Sequence, residues 1–361
     1  MASIPTELAF RRSVSVMRIA MVCPYDLGMN GGVQDQATRL TGWLGELGHS
    51  VVLVGPGTEG PEGSVLLGGT RTVKANQAAT PLRLDPRVRS QIKDVFADVD
   101  VAHIHEPLMP AVSLAATRIG HLPKVGTFHA DPPKWVRRTY RGSGPLLRRV
   151  VSKLDVVTAT SSVSRSAIDR FTTSRIIPNG VELSAYGASD KREGSVVFLG
   201  RDDQRKGLDV LLEAWPLVAA QVPAANLTVI GADRPSDRKD VSYLGRVSES
   251  EKASVLSRSG VYCAPNLGGE SFGIVLAEAM ASGCAIVASA LPAFAHVAGG
   301  SAELVAPGDA NGLAERIIAV LTDDGRRAAL QSAALERSKA FDGLTIASLF
   351  VDAYSDAVAG I

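Results

Sequence analysis

The chain is 361 residues long, 45% hydrophobic and 21% charged. That length exceeds what one core usually fills and predicts two domains, while the lack of any apolar run near the ~18 residues of a membrane span excludes an integral helix and leaves peripheral contact. Net charge is +1, but residues 1–185 hold 22 Lys and Arg against 15 Asp and Glu and residues 186–361 hold 16 against 22, so the basic first half either meets an anionic partner or carries a solvated face.

Met1 to Val16 has neither an apolar core nor a cleavage pattern and reads as a disordered extension, 1–16. Short apolar runs then alternate with helical patterns, which predicts parallel sheets with crossover helices. The first predicted strands are Met17–Cys23, Ser50–Val54, Val101–His105, Lys124–Phe128, Val156–Thr160 and Arg175–Ile177. Pro178-Asn179-Gly180 breaks the pattern, and the polar stretch from Glu182 to Gly194 reads as a linker. A second set follows at Ser195–Gly200, Leu227–Ile230, Val241–Leu244, Gly260–Ala264, Ala285–Ala288 and Ala302–Val305, with helical patterns at Asn311–Leu321, Gly325–Phe341 and Thr345–Val358. The expected fold class is α/β with two Rossmann-like domains, 17–185 and 186–340, and a final helical segment, 341–361. No G-x-G-x-x-G follows the first strand, so a nicotinamide or flavin site lacks its marker. Ligands of open parallel sheets bind beyond the carboxyl ends of the strands, which places the expected reaction site between the domains. Cys23, Cys263 and Cys284 lie in or beside apolar runs at no metal or redox spacing, as buried thiols of a reduced cytosolic chain would.

Several segments carry chemistry. After the first strand, Gly31 and Gly32 open a predicted helix, where a backbone without Cβ atoms can approach a phosphate and the helix N-terminus attracts it. His103-x-His105-Glu106 invites a metal reading, but no third ligand stands at recognisable spacing and Pro107 is expected to start a helix, so both are read as strand-end residues of the cleft. Lys134 to Lys153 holds seven Lys and Arg and no acid, with Trp135 and Tyr140 among them, a candidate surface for anionic lipid. Arg201 and Lys206 follow a strand end and offer two cations to a diphosphate. Gly268-Gly269-Glu270-Ser271-Phe272-Gly273 leads into a helix predicted over Phe272–Ser282, with Glu278 about two turns along. That helix start is a second anion cradle. Gly269 to Gly273 also matches G-x-S-x-G, but Pro265 closes the preceding strand early, and between Ser271 and the only later histidine, His296, there is no Asp and only Glu278; Ser271 is instead read as a helix N-cap.

Five segments together, Met17 to Gln34, His103 to Pro107, Thr127 to His129, Leu199 to Gly207 and Cys263 to Met280, resemble the actinobacterial phosphatidylinositol mannosyltransferases, which are retaining GT-B glycosyltransferases. The resemblance runs from Met17 almost to the C-terminus. It implies a GT-B fold in which an acceptor and membrane domain faces a nucleotide-sugar domain across a deep cleft, with the last helix crossing back to the first. It implies GDP-mannose as donor and the inositol ring of a phosphatidylinositol lipid as acceptor, at the inner face of the plasma membrane. By it, Gly32, Arg201 and Lys206 bind the diphosphate with the backbone of the Glu270, Ser271, Phe272, Gly273, Ile274 loop. Val247, Glu249 and Lys252 hold the guanine, Glu278 the ribose and Glu270 the mannose. Tyr25, Gln34, Asn76, His129 and Lys134 meet the inositol phosphate, with His129 orienting the attacking hydroxyl.

The implied partners are a nucleotide sugar, the lipid acceptor and an anionic membrane surface, with no nucleic acid. No metal site or tightly bound cofactor is expected, and loose Mg2+ assistance stays open. The same fold with a UDP-sugar donor and another acceptor is the nearest alternative. An epimerase, a serine hydrolase and a non-catalytic sugar-nucleotide sensor represent other classes. One departure stands out: the family's membrane-facing helix is richly basic, whereas Pro86 to Val95 offers only Arg87, Arg89 and Lys93 against Asp94.

Overall fold

The computed structural model describes residues 15–29, 31–75, 78–82, 87–120, 122–129, 144–187 and 189–360. They fall into two compact units. The first gathers the described residues within Met1–Thr127, Ser143–Thr158 and Ala347–Ile361, and the second those within Phe128–Gly142 and Ala159–Ile346.

The first unit carries most of a seven-stranded sheet. Its strands are β1 (Arg18–Val22), β2 (Ser50–Gly55), β3 (Val65–Leu66), β6 (Val101–His105), β7 (Lys124–Phe128), β8 (Val156–Ala159) and β9 (Arg175–Ile176), in the order β3-β2-β1-β6-β7-β8-β9. A separate antiparallel pair, β4 (Arg71–Ala75) and β5 (Ala78–Leu82), follows β3. β1, β6 and β7 are buried almost end to end, as central parallel strands covered on both faces are. The helix Gly32–Glu46 buries Gln36, Ala37, Leu40, Trp43 and Leu44. That three-to-four spacing is one helical stripe facing the sheet.

The second unit is a six-stranded sheet of β10 (Arg192–Leu199), β11 (Asn226–Ile230), β12 (Val241–Gly245), β13 (Ser259–Ala264), β14 (Ala285–Ser289) and β15 (Ala302–Val305), in the order β12-β11-β10-β13-β14-β15. Every pairing is parallel. Alternate side chains enter two cores. Val197, Tyr262 and Ile286 pack on one face with the helix Ile274–Ala281, while Val196, Phe198, Val261, Cys263 and Val287 pack on the other with the helices Leu208–Gln221 and Ala310–Thr322. The period of two makes every strand but the edge strand β12 contribute to both.

Three expectations change. The helix predicted from Pro107 begins at Val112, because Glu106 and Ala111 take positive φ (49° and 68°) and the chain between them turns instead. The helix after Glu270 begins at Ile274 rather than Phe272. His103 and His105 are core residues, not cleft residues. Their rings stack with centroids 4.4 Å apart, and both are essentially fully buried. His103 Nδ1 meets Tyr354 Oη of the final helix (Gly343–Ala359) at 2.8 Å and its Nε2 meets Thr127 Oγ1 at 2.6 Å, while Thr127 Oγ1 pairs with Thr158 Oγ1. His105 Nε2 lies 3.0 Å from Met21 Sδ. Buried polar atoms need such partners, and here each neighbouring strand supplies one.

Candidate active site

In the second unit the loops that leave β10 and β13 are stitched together. Gly207 holds φ 71°, and a Cβ there would lie 2.0 Å from the carbonyl oxygen of Pro265, so only glycine permits this contact. Next to it, Leu267 N–H donates to Arg205 O at 2.8 Å. The turn Gln204–Lys206 is capped by Asp203, whose Oδ1 accepts the Arg205 N–H at 2.9 Å. Hydrogen bonding from Arg205 holds the Asp203 carboxyl down at about 2. Packed this way, the Lys206 ammonium reaches Glu270 Oε1, which also accepts from Asn266 Nδ2 at 2.9 Å. Glu270 is thus fixed by one cation and one amide.

A second charged group sits along the helix Ile274–Ala281. Glu278 is 2% exposed, and its Oε2 lies 3.0 Å from Lys252 Nζ. Lys252, itself buried, also donates to Glu249 Oε2 at 2.8 Å. Glu249 and Lys252 belong to the first turns of the helix Glu249–Arg258, which Ser248 caps by accepting the Glu251 N–H at 3.2 Å. A buried carboxylate is tolerable only with such a partner, and removing one member of a buried pair is costly. Val247 packs against the same core as Phe272 and Ile274.

Gly273, not Ser271, is the N-cap of Ile274–Ala281, with φ 95° and no side-chain cap. The reason is steric. A Cβ on Gly273 would lie 2.8 Å from the Phe294 ring, and the left-handed turn it makes leaves Ser271 outside the helix. The Ser271 carbonyl instead accepts from Ser161 Oγ at 2.5 Å. β13 ends at Ala264, well before Ser271, so the strand-to-serine turn of a hydrolase elbow is absent among the described residues. An uncapped N-terminus leaves backbone N–H groups for an anion.

In the first unit, the helix Gly32–Glu46 likewise starts after an extended Gly31 with no side-chain cap. A Cβ on Gly32 would meet nothing within 4 Å, so internal packing does not demand glycine there. Gln34 Nε2 donates to Asp26 O at 3.4 Å, beside the half-buried Tyr25. His129, just past β7, belongs to the second unit and is buried. Burial pushes its imidazole down to about 4 against the opposing pull of a hydrogen bond that the ring makes to the Asn179 side chain, leaving a neutral ring at pH 7. Asn76 and Lys134 lie outside the described residues, as do Trp135 and Tyr140.

The second unit therefore links Lys206 with Glu270 and Lys252 with Glu249 and Glu278; Val247, Ser271, Phe272, Gly273 and Ile274 lie in the same unit, and Arg201 follows β10 in the loop that carries Lys206. Sequence reading missed Asn266 and Asn179, which hold Glu270 and His129, because a lone asparagine in a turn carries no spacing signal. Among the described residues no group of three or more His, Cys, Asp and Glu is placed to hold a metal ion, and no helix is long and apolar enough to cross a membrane. All three cysteines are buried free thiols.

Comparison with known proteins matches residues 193–323 to the family model of glycosyl transferases group 1 and residues 30–185 to that of glycosyltransferase family 4. A phosphatidyl-myo-inositol mannosyltransferase of Mycolicibacterium smegmatis is 35% identical over 94% of this chain and 93% of its own length. The protein so named in Propionibacterium freudenreichii is 35% identical over 78% of this chain and 79% of its own. Among solved structures, sucrose-phosphate synthase from Thermosynechococcus elongatus superposes with a TM-score of 0.73 at 20% identity, covering 95% of this chain and all of that one. The Anabaena protein HepE in complex with UDP superposes at 0.74 and 18%, covering 94% and 100%.

Proposed function

The chain belongs to the phosphatidyl-myo-inositol mannosyltransferase family of GT-B glycosyltransferases, and we propose on that premise that it moves mannose from GDP-mannose to the inositol ring of a phosphatidylinositol lipid with retention of configuration. The observation that carries this reading is the pair of ionic contacts, Lys206 with Glu270 and Lys252 with Glu278, set on either side of one uncapped helix start. Guanine is assigned to Val247, Glu249 and Lys252, the ribose to Glu278, the diphosphate to Arg201, Lys206 and the Gly273 and Ile274 backbone, and the mannose to Glu270. Gly32 takes its diphosphate role, and Tyr25, Gln34, Asn76 and Lys134 their acceptor roles, from the sequence resemblance. The domain limits 17–185, 186–340 and 341–361 are part of the same proposal.

No side chain needs to form a covalent intermediate. The leaving phosphate takes the acceptor proton on the face from which the nucleotide departs, so the protein's work is to stabilise departing negative charge and to position the alcohol. Arg201 and Lys206 supply the first. The neutral His129 imidazole supplies a hydrogen bond to the hydroxyl without placing a positive charge against the developing sugar cation. Charge neutralisation by these cations makes a tightly held ion unnecessary, with loose Mg2+ at most.

The proposed place of the reaction, the inner face of the plasma membrane, comes from the sequence resemblance. In the first unit the helix Gly144–Val151 exposes Leu146, Arg148 and Arg149, and each basic residue near an anionic leaflet contributes about 1 kcal/mol. The deciding assay incubates the protein with radiolabelled GDP-mannose and phosphatidylinositol vesicles beside UDP-glucose and UDP-N-acetylglucosamine. Label is expected in lipid only from GDP-mannose, as an α-linked product by NMR. Transfer from a UDP-sugar instead would move the assignment to another member of the fold, and conversion of donor without acceptor would indicate an epimerase.

A further inference from the structure

The segment that carries Arg201 and Lys206 cancels its own charge. Arg201, Arg205 and Lys206 stand against Asp202, Asp203 and Asp209 within nine residues. A diphosphate gains little from a neutral segment, because carboxylates well inside a Debye length oppose the cations. The fold deals with these carboxylates separately. Asp203 turns back on Arg205, accepting from its Nη2 at 2.6 Å. Asp202 and Asp209 both go to a cation from another loop, Arg234, between β11 and β12. Arg234 grips Asp202 with a two-point fork, Nε to Oδ2 at 2.8 Å and Nη2 to Oδ1, and its Nη1 donates to Asp209 Oδ1 at 2.6 Å. Lys206 is engaged with Glu270, whereas Arg201 takes part in none of the ion pairs among the described residues.

Stability is a poor reason for this arrangement. The side chains of Arg234, Asp202 and Asp209 are 29%, 43% and 68% exposed, and such pairs add little to folding. Their effect on local charge is larger. Without Arg234, Asp202 and Asp209 would carry their charge within eight residues of Arg201 with no fixed counter-charge. The fork is also planar and bidentate, which fixes where the Asp202 charge lies as well as screening it.

We propose that Arg234 is a positioning residue for the donor: by binding Asp202 and Asp209 it withdraws their charge from the diphosphate site and leaves Arg201 available to the phosphates. The proposal rests on the reading of the second unit as a nucleotide-sugar site. It is tested by titration calorimetry of GDP, UDP and guanosine against the full-length chain, Arg234→Ala, and the triple variant Arg234→Ala/Asp202→Asn/Asp209→Asn. Arg234→Ala is expected to weaken GDP about tenfold while leaving guanosine within about twofold, and the triple variant is expected to recover GDP affinity to within about threefold of the parent. A purely structural role would lower both ligands together and would not be rescued by neutral partners. Unchanged GDP affinity in Arg234→Ala, an equal loss for guanosine, or no recovery in the triple variant would overturn the role. A parent chain that prefers UDP corrects the donor base alone, and the same comparison is then read with UDP and uridine. A parent that binds neither nucleotide overturns the functional reading together with the role of Arg234.

Discussion

Both units gather polar side chains at or near the ends of their central parallel strands, and they put them to different use. In the first, His103, His105, Thr127, Thr158 and Tyr354 are buried and engage one another or the sheet. In the second, Lys206 and Glu270 keep side-chain exposures of 27% and 16%, beside the buried pair of Lys252 and Glu278. The contrast lies in charge and access. Neutral groups that satisfy each other inside a core fix packing, whereas opposite full charges held on loops at a helix start can be reapportioned when an anionic ligand arrives. A strand-end position is therefore not by itself a site.

The sharpest break of this comparison removes charge from the second unit. Lys206→Ala is expected to lower kcat/KM for GDP-mannose by about 100-fold, the loss of one charge-assisted contact in the transition state, with Tm nearly unchanged because the pair is partly exposed. Steady-state kinetics beside a thermal melt check it. A loss below about threefold would remove Lys206 from the phosphate site.

The converse experiment acts on the first unit. His103→Phe fills the volume but leaves the buried hydroxyls of Tyr354 and Thr127 without this partner, at a cost of about 1–3 kcal/mol. The melt should fall by several degrees while GDP affinity by calorimetry stays unchanged. A large loss of affinity with an intact melt would return His103 to a functional role.

His129 lies between these extremes, buried like the first group but read as functional. Its imidazole is held down at about 4 in the folded protein, chiefly by burial, against about 6.5 in an unfolded chain. Between those values the unfolded state binds the extra proton. The contribution to stability is therefore full above pH 6.5 and is lost as pH falls toward 4, by up to roughly 3 kcal/mol. Denaturant melts from pH 7.5 to 4.5 are expected to show this acid limb, and His129→Gln is expected to flatten it. An unaltered limb in the variant would assign the titration to another group, with His49 and His296, also lowered by burial, next in line.

Much of the architecture was legible because it is local. Buried parallel strands such as Arg18–Val22 and Ala285–Ser289 read as nearly continuous apolar runs, and turn residues mark their ends. The short pair β4 and β5, Arg-Thr-Val-Lys-Ala and Ala-Ala-Thr-Pro-Leu, escaped that reading, since neither run is apolar enough to register. The Ser271 cap failed for a steric reason that no local pattern carries, the approach of Phe294 to Gly273.

The order of strands and helices, the loop from Glu270 to Glu278 and the cations after β10 were set by the chain itself, since hydrophobic periodicity and nearest-neighbour spacing are properties of adjacent residues. Which charges meet was decided only by the tertiary structure. Lys206 finds Glu270 64 positions away, His103 finds Tyr354 across 251, and Arg234 draws Asp202 from 32. Electrostatic and hydrogen-bond energies depend on distance and burial in space, and sheet order alone brings those partners together.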